Sequence, residues 1–452
     1  MKDHLKAIVS FFLLAILLVA AARSPGAAEV TSPHAALLPN GLRVIVKSDG
    51  GPGVVAINLV IRAGSRHEDE QDSGVAHFLE HMLFRGSRNY RPGEAEAMIE
   101  GLGGAVNGGT LRDFTHIYAT VPSAAFEKTL GALADAALYP ALDPPEIERE
   151  RRIIGSEIAQ QKEEPRAAMW DIAHRLLFSN HPYSRPVNGT EESLLSLGRE
   201  RLAAFHHNWY LPNNMTVVIV GDLSEARALA AVKENFGELE RGPVNRPAEP
   251  GVPPAPASRE HLFYHNGSLA YVALAVKAPG ISSPREVCAM DLLTALLAEG
   301  KTSRLQLLLL EKDSLALATG AEFLTSREPS PFLIWAACPP EKANEVRTRI
   351  EKEISAIARG EISPAEIAAA KRRLETSFWL ANETYTEQAD VLGFYDAIDT
   401  YRFGADYLSR VRGVTLAEIK EAARTYLVPE KGVWLILLPR SKAASSGVVR
   451  TQ

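Results

Sequence analysis

Cysteine is nearly absent from this chain: its 452 residues include two, Cys288 and Cys338. That excludes a disulfide scaffold and any metal site built from several thiolates. Each cysteine lies in an apolar stretch, so the pair forms either one disulfide in an oxidising compartment or two buried thiols. Positive charge is not in excess either. Lys and Arg number 49 against 55 Asp and Glu, a net charge of −6, which argues against nucleic acid as the main partner. No second apolar run long enough to span a membrane follows the N-terminus. What remains, 46% hydrophobic and 23% charged, is the composition of an ordinary globular protein. A chain of this length exceeds one typical core, so two or more domains are expected.

The N-terminus carries a targeting pattern. Lys2 and Lys6 precede an apolar run from Ala7 to Ala22, and Gly26-Ala27-Ala28 supplies small residues for cleavage before Glu29. A signal peptide over residues 1–28 is expected, with the folded part periplasmic or secreted. The alternative is an uncleaved segment that anchors the chain to the inner membrane.

From Arg241 to Ala257 the chain is too rich in proline for a helix or a central strand, and residues 241–258 read as an extended linker. The segments on either side look like copies of one another. The strand Val55 to Arg62 is followed by Ala63-Gly64 and a polar loop, as the strand Ala270 to Lys277 is followed by Ala278-Pro279-Gly280. Asp143-Pro144-Pro145-Glu146-Ile147 opens a helix, and Ser363-Pro364-Ala365-Glu366-Ile367 opens its counterpart beyond the linker. Tyr210-Leu211-Pro212 leads into the strand Thr216 to Val220, and Tyr426-Leu427-Val428-Pro429 into Val433 to Leu438. The expected fold is α+β in two duplicated domains, 29–240 and 259–442, with a short tail over 443–452. Each is a mainly antiparallel sheet covered by helices, with hairpins such as the one at Asn40-Gly41.

Chemistry concentrates in His77-Phe78-Leu79-Glu80-His81. Residues three and four apart are neighbours on a helix, so two imidazoles converge on one metal with a carboxylate beside them. This is the reverse of the zincin order and points to a metallopeptidase. Val75, Phe78, Leu79, Met82 and Leu83 mark the buried face, Asp72 or Ser73 the cap and Gly86 the stop. The bland alternative is a solvated polar face on an amphipathic helix. A catalytic zinc usually takes a third protein ligand, and the helix opened by Pro144 offers Glu150 and Glu157, two turns apart on nearly one face. In the second copy these positions are Ala370 and Ser377, and Leu292 to Leu297, where the histidines would fall, contain neither His nor Glu. Loss of all four polar groups together indicates one shared site.

These features resemble the pitrilysin/insulinase family of zinc metallopeptidases, among them the bacterial two-domain members similar to the mitochondrial processing peptidase subunits. The resemblance covers essentially the mature chain. It rests on Leu38 to Leu42, Gly74 to Phe84, Gly104 to Thr110, Glu150 through Glu157, and His181-Pro182-Tyr183. It implies one zinc per chain held by His77, His81 and, at the family's spacing from His81, Glu157, with Glu150 holding a ligand from outside. Glu80 is then the general base toward the zinc-activated water. The glycine-rich stretch Gly101 to Thr110 lacks the ending of a phosphate loop and reads as a turn into an edge strand. By resemblance that strand binds extended peptide, with Asn107 and Gly108 in contact with it. The family's Arg and Tyr, which bind substrate from the second domain, are replaced here by Leu310 and Leu317, which cannot hydrogen-bond a peptide. The expected function is a secreted or periplasmic zinc endopeptidase acting on peptides or small unfolded polypeptides, working as a dimer. That dimer is a heterodimer whose homologous partner supplies the missing pair, or else a homodimer. The alternative is a weakly catalytic or non-catalytic peptide-binding subunit that retains zinc.

Overall fold

The computed structural model describes residues 32–244, 250–256 and 259–440. The expected signal peptide, parts of the linker and the tail lie outside the described residues. Among those described, no helix is long and apolar enough to cross a membrane.

Two sheets organise the chain. In the first half the strands are β1 (His34–Leu37), β2 (Arg43–Ser48), β3 (Val54–Ile61), β4 (Ala105–Thr110), β5 (Thr115–Pro122) and β6 (Met215–Gly221). They assemble in the order β1-β2-β6-β3-β5-β4. In the second half, β7 (Glu260–His265), β8 (Ala270–Ala278), β9 (Ala318–Phe323), β10 (Ser330–Cys338) and β11 (Val433–Pro439) assemble as β7-β11-β8-β10-β9. Both sheets are mixed and mainly antiparallel, with β2–β6 and β7–β11 as the parallel pairs. Apart from β1, strand follows strand in the same spatial order, so the duplication read from the sequence is present in the topology. Asn40-Gly41 makes the β1–β2 hairpin, where Gly41 takes φ +88° and the Asn40 amide donates to the carbonyls of Phe236 and Leu239.

The helices of the first half are α1 (Val75–Leu83), α2 (Glu94–Gly101), α3 (Phe126–Leu138), α4 (Pro144–Glu163), α5 (Pro165–Leu177), α6 (Glu191–Ser196), α7 (Arg199–Trp209) and α8 (Glu225–Phe236). Those of the second half are α9 (Pro284–Ala298), α10 (Ala343–Ala358), α11 (Pro364–Leu380), α12 (Tyr385–Ile398), α13 (Tyr401–Ala405), α14 (Tyr407–Gly413) and α15 (Leu416–Tyr426). Within the first half, α1, α3, α4, α7 and α8 cover one face of the first sheet in a core that includes Ile57, Leu59, Phe78, Leu79, Ile154 and Phe236. The second sheet has the matching arrangement with α9, α10 and α15.

The other face of each sheet is covered by a helix from the opposite half. Met169, Ala173 and Leu177 of α5 pack on Ala273, Leu333, Trp335 and Leu435 of the second sheet. Ala389 and Leu392 of α12 pack on Ile45, Ala56, Val218 and Val220 of the first. This exchange explains why β3 is buried on both faces along nearly its whole length. Polar latches fix the exchange. Asp396 of α12, fully buried, accepts from Arg43 (2.6 Å), Arg62 (2.5 Å) and Thr216 (2.7 Å). On the far side, Tyr183 donates to Asp113, and the backbone N–H groups of Arg327 and Glu328 donate to Asp113 and to the Tyr183 oxygen. The His181-Pro182-Tyr183 motif therefore joins the halves.

Cys288 and Cys338 are free and buried, so of the two sequence alternatives the structure holds the thiols. Removing the carboxylate of Asp396 takes the acidic partner from Arg43 and from the part-buried Arg62. The expected outcome for Asp396→Ala is a loss of about 3 kcal/mol in urea unfolding, whereas a loss below about 0.5 kcal/mol would show that Asp396 is not the clamp.

Candidate metal centre

Helix α1 owes its position to a group that the sequence reading misses. Asp72 or Ser73 is the cap expected from the sequence, but the structure puts Gly74 there, in a left-handed turn with φ +90°. A side chain on Gly74 would collide with the backbone of Asn188 and Gly189. The first N–H groups of the helix go to Glu68, whose two oxygens accept from Gly74 (2.8 Å) and Ala76 (3.0 Å). Glu68 belongs to no cap pattern and stands well before Gly74, so nothing local in the sequence marks it. Val75, Phe78, Leu79, Met82 and Leu83 are buried as the periodicity requires, and Gly86 beyond the helix has φ +97°.

The buried stripe turns His77, Glu80 and His81 toward α4. Their geometry brings one donor from each of His77, His81 and Glu157 within 4.8 Å of the others. Glu157 Oε2 lies 3.7 Å from His77 Nε2 and 3.6 Å from His81 Nε2. A tetrahedral zinc with bonds of about 2.0–2.1 Å needs donors roughly 3 Å or slightly more apart, so these residues fit the ion. Glu150, two turns earlier on α4, is fully buried and does not join the cluster. It takes His81 Nδ1 at 2.9 Å on one oxygen and Arg85 Nε at 2.6 Å on the other. That fixes the His81 tautomer and leaves Nε2 as the donor that faces Glu157. Arg85 follows His81 by one helical turn, a spacing readable in the sequence once the motif is seen.

Electrostatics divides the two histidines. Burial, reinforced by the neighbouring His81, lowers His77 to about 4, so it is a neutral donor. Burial would also lower His81, but the adjacent carboxylates of Glu157 and Glu150 prevail and raise it to about 9. Glu157 is held down by His81 in return. The proton shared among these groups sits where a bound cation would replace it. Glu80 is 8% exposed, and burial, aided by Glu157, pushes its carboxyl up to about 7. A group of that affinity near neutral pH can take and return protons.

The glycine-rich segment behaves as read: Gly103 turns at φ +85° into β4, which is the edge of the first sheet. Gly108 faces Glu80, and a Cβ there would stand 2.7 Å from Glu80 Oε1. Thr110, at the end of the same strand, donates to Glu80 Oε2 at 3.4 Å. Asn107 points to the other side and is exposed, its Oδ1 accepting from the Gly108 N–H. In the second half, Ala370 is buried in the core and no matching His/Glu cluster occurs among the described residues. Leu310 packs at the border of the second core, while Leu317, just before β9, is 60% exposed. The segment that carries Leu310 forms a π-helix over Gln306–Lys312, a winding that no sequence pattern foretells.

A sequence profile described as "Insulinase (Peptidase family M16)" matches residues 43–191, and one described as "Peptidase M16 inactive domain" matches residues 196–374. Relatives include an uncharacterized zinc protease of Mycobacterium leprae, 29% identical, with 90% of this chain and 91% of that protein covered. Another is the zinc protease PqqE of Helicobacter pylori, 26% identical over 94% of this chain and 98% of its own. Among solved structures, a protease from Helicobacter pylori superposes with a TM-score of 0.84 at 24% identity, covering 91% of this chain and 100% of that one. A peptidase M16 inactive domain from Pseudomonas fluorescens gives 0.82 at 22%, covering 90% and 98%. With both profiles matched in order and the duplicated fold shared, the chain belongs to the pitrilysin/insulinase family of peptidases, as a bacterial two-domain member.

Proposed function

We propose that this protein is a zinc-dependent endopeptidase that hydrolyses peptides or small unfolded polypeptides. The observation that carries the reading is the convergence of His77, His81 and Glu157 with the buried carboxylate of Glu80 beside them. When bound, zinc supplies a Lewis acid that polarises the scissile carbonyl and acidifies water. Glu80 accepts the proton of the attacking water and delivers it to the nitrogen of the leaving amine. Glu150, paired with Arg85, holds His81 in the orientation that presents Nε2. The open edge of β4 takes the peptide as an added strand, with Asn107 and Gly108 alongside it. One zinc per chain is the stoichiometry that the cluster found among the described residues supports. A periplasmic or secreted location rests on Lys2, Lys6 and the apolar run to Ala22.

A second reading, a zinc-retaining peptide-binding subunit with weak or no turnover, is favoured by Leu310 and Leu317. Neither side chain offers a hydrogen bond to a substrate. On either reading the protein is a dimer, with a homologous partner subunit or with a second copy of itself. Robust cleavage by a monodisperse monomer would contradict that assembly.

Three outcomes check the chemistry. A chelator abolishes peptide hydrolysis and added zinc restores it. Glu80→Gln keeps its zinc by elemental analysis but loses about 10²–10⁴ in kcat; turnover at the wild-type rate would remove Glu80 from the mechanism. Glu150→Gln weakens zinc about 10–100-fold in competition with a chelator, while an unchanged affinity would show that His81 needs no support.

A further inference from the structure

Among the described residues a single hydrogen bond reaches the Glu80 carboxylate, from the Thr110 hydroxyl to Oε2 at 3.4 Å. The other oxygen, Oε1, lies over Gly108, where the missing side chain leaves it room. The two oxygens therefore differ in their surroundings. Oε2 is held from the closed end of β4, and Oε1 rests beside the strand on which the peptide is expected.

Thr110 is rigid enough to hold a neighbour. It forms with Thr115 the last pair of the β4–β5 hairpin, whose turn is closed by the Leu111 N–H on the Phe114 carbonyl at 2.8 Å. That turn is docked on the chain just after β3. The N–H groups of Ser65 and Arg66 donate to the carbonyls of Leu111 and Arg112, and a Cβ on Gly64 would collide with the Leu111 oxygen. Although β4 is an edge strand, this end of it is pinned. A Thr side chain is stiff at χ1, so a pinned backbone fixes its hydroxyl.

The protons behind Thr110 set the direction of its bond. Thr115, fully buried, gives its hydroxyl hydrogen to the Ala63 carbonyl at 2.8 Å, and toward other groups it is an acceptor. The Tyr210 hydroxyl, buried without a close hydrogen-bond partner, has Thr115 in reach and keeps its proton because burial and the Glu80 charge push it up. Thr115 thus has a donor besides Thr110. The single hydrogen of Thr110 has two acceptors at 3.4 Å, the Thr115 oxygen and Glu80 Oε2, and a carboxylate outcompetes a hydroxyl. It goes to Glu80.

We propose that Thr110 is a positioning residue: it holds Glu80 by Oε2 and so presents Oε1 to the attacking water, with Thr115 and Tyr210 aligning its hydroxyl from behind. The seat of the peptide and the support of the base then belong to one strand. The kinetic consequence rests on the peptidase reading given under the proposed function, but the orientation of Glu80 does not.

The test compares the zinc-loaded, full-length wild-type protein with Thr110→Val, which keeps the shape and loses the hydroxyl, and with Thr110→Ser, which keeps the hydroxyl. Matching unfolding midpoints show that the variants are folded. In crystals, the Glu80 carboxylate should leave its wild-type orientation in Thr110→Val and regain it in Thr110→Ser. In peptide hydrolysis, Thr110→Val should lose about ten- to a hundredfold in kcat, with KM and zinc affinity within about twofold of wild type. Thr110→Ser should recover most of that loss. In a Glu80→Gln background, Thr110→Val should change the residual kcat by less than about twofold, because the base it positions is gone. A Glu80 carboxylate that stays in place without the hydroxyl overturns the proposal. So does unchanged turnover in Thr110→Val, a loss that Ser does not recover, or a loss that persists in the Glu80→Gln background. If the wild-type protein cleaves no peptide, the peptidase reading fails and the crystals alone decide whether Thr110 holds Glu80.

Discussion

Neither sheet can bury both of its faces without a helix from the other half. Helix α5 seals the second sheet and α12 the first, so the two halves form one folding problem despite the proline-rich segment between them. Sheets with apolar residues on both faces need a layer on each side. The duplicated chain meets that need by exchange. The consequence for function is geometric: α4, which carries Glu150 and Glu157, runs directly into α5, and α12 lies over the strands next to β4. The cluster of His77, His81 and Glu157, the open edge and the second half's wall are held together by the same packing that completes the cores.

Within that frame the duplicated halves divide labour. The first half concentrates buried carboxyl groups: Glu68 on the start of α1, Glu150 between Arg85 and His81, and Glu80 against Gly108. Each is a costly group to bury, and each has hydrogen-bond partners or a cationic neighbour that justify its place. The second half keeps the strand order and fills the matching helix with apolar residues such as Ala370 and Leu374. The same scaffold thus folds with and without the polar cluster, so the fold itself does not require it.

Much of this was legible in the sequence because the signals are periodic or motif-like. The α1 stripe, the Pro-opened helices α4 and α11, the Asn40-Gly41 hairpin and the repeat spacing all have local causes. So does the convergence of His77, His81 and Glu157, since the two histidines and both glutamates stand at helical spacings and vanish together from the second copy. What stayed hidden depends on contacts distant in sequence. Glu68 caps a helix from outside any cap motif, and Asp396 meets Arg43 and Arg62 from the opposite half of the chain. The burial of β3 on both faces follows from α12, which no window around β3 contains. Gly108 looks like a flexible residue in sequence, but in space it is the surface on which the Glu80 carboxylate rests.

The central claim is that His77, His81 and Glu157 hold a zinc ion beside a peptide-binding edge. The most direct measurement is an anomalous difference map at the zinc edge from crystals of the zinc-loaded protein grown with a bound peptide. The account predicts one strong peak bonded to His77 Nε2, His81 Nε2 and Glu157, with the peptide paired to β4 and Glu80 facing its carbonyl. A peak at another group of residues, no peak at full zinc loading, or a peptide bound away from β4 would contradict it.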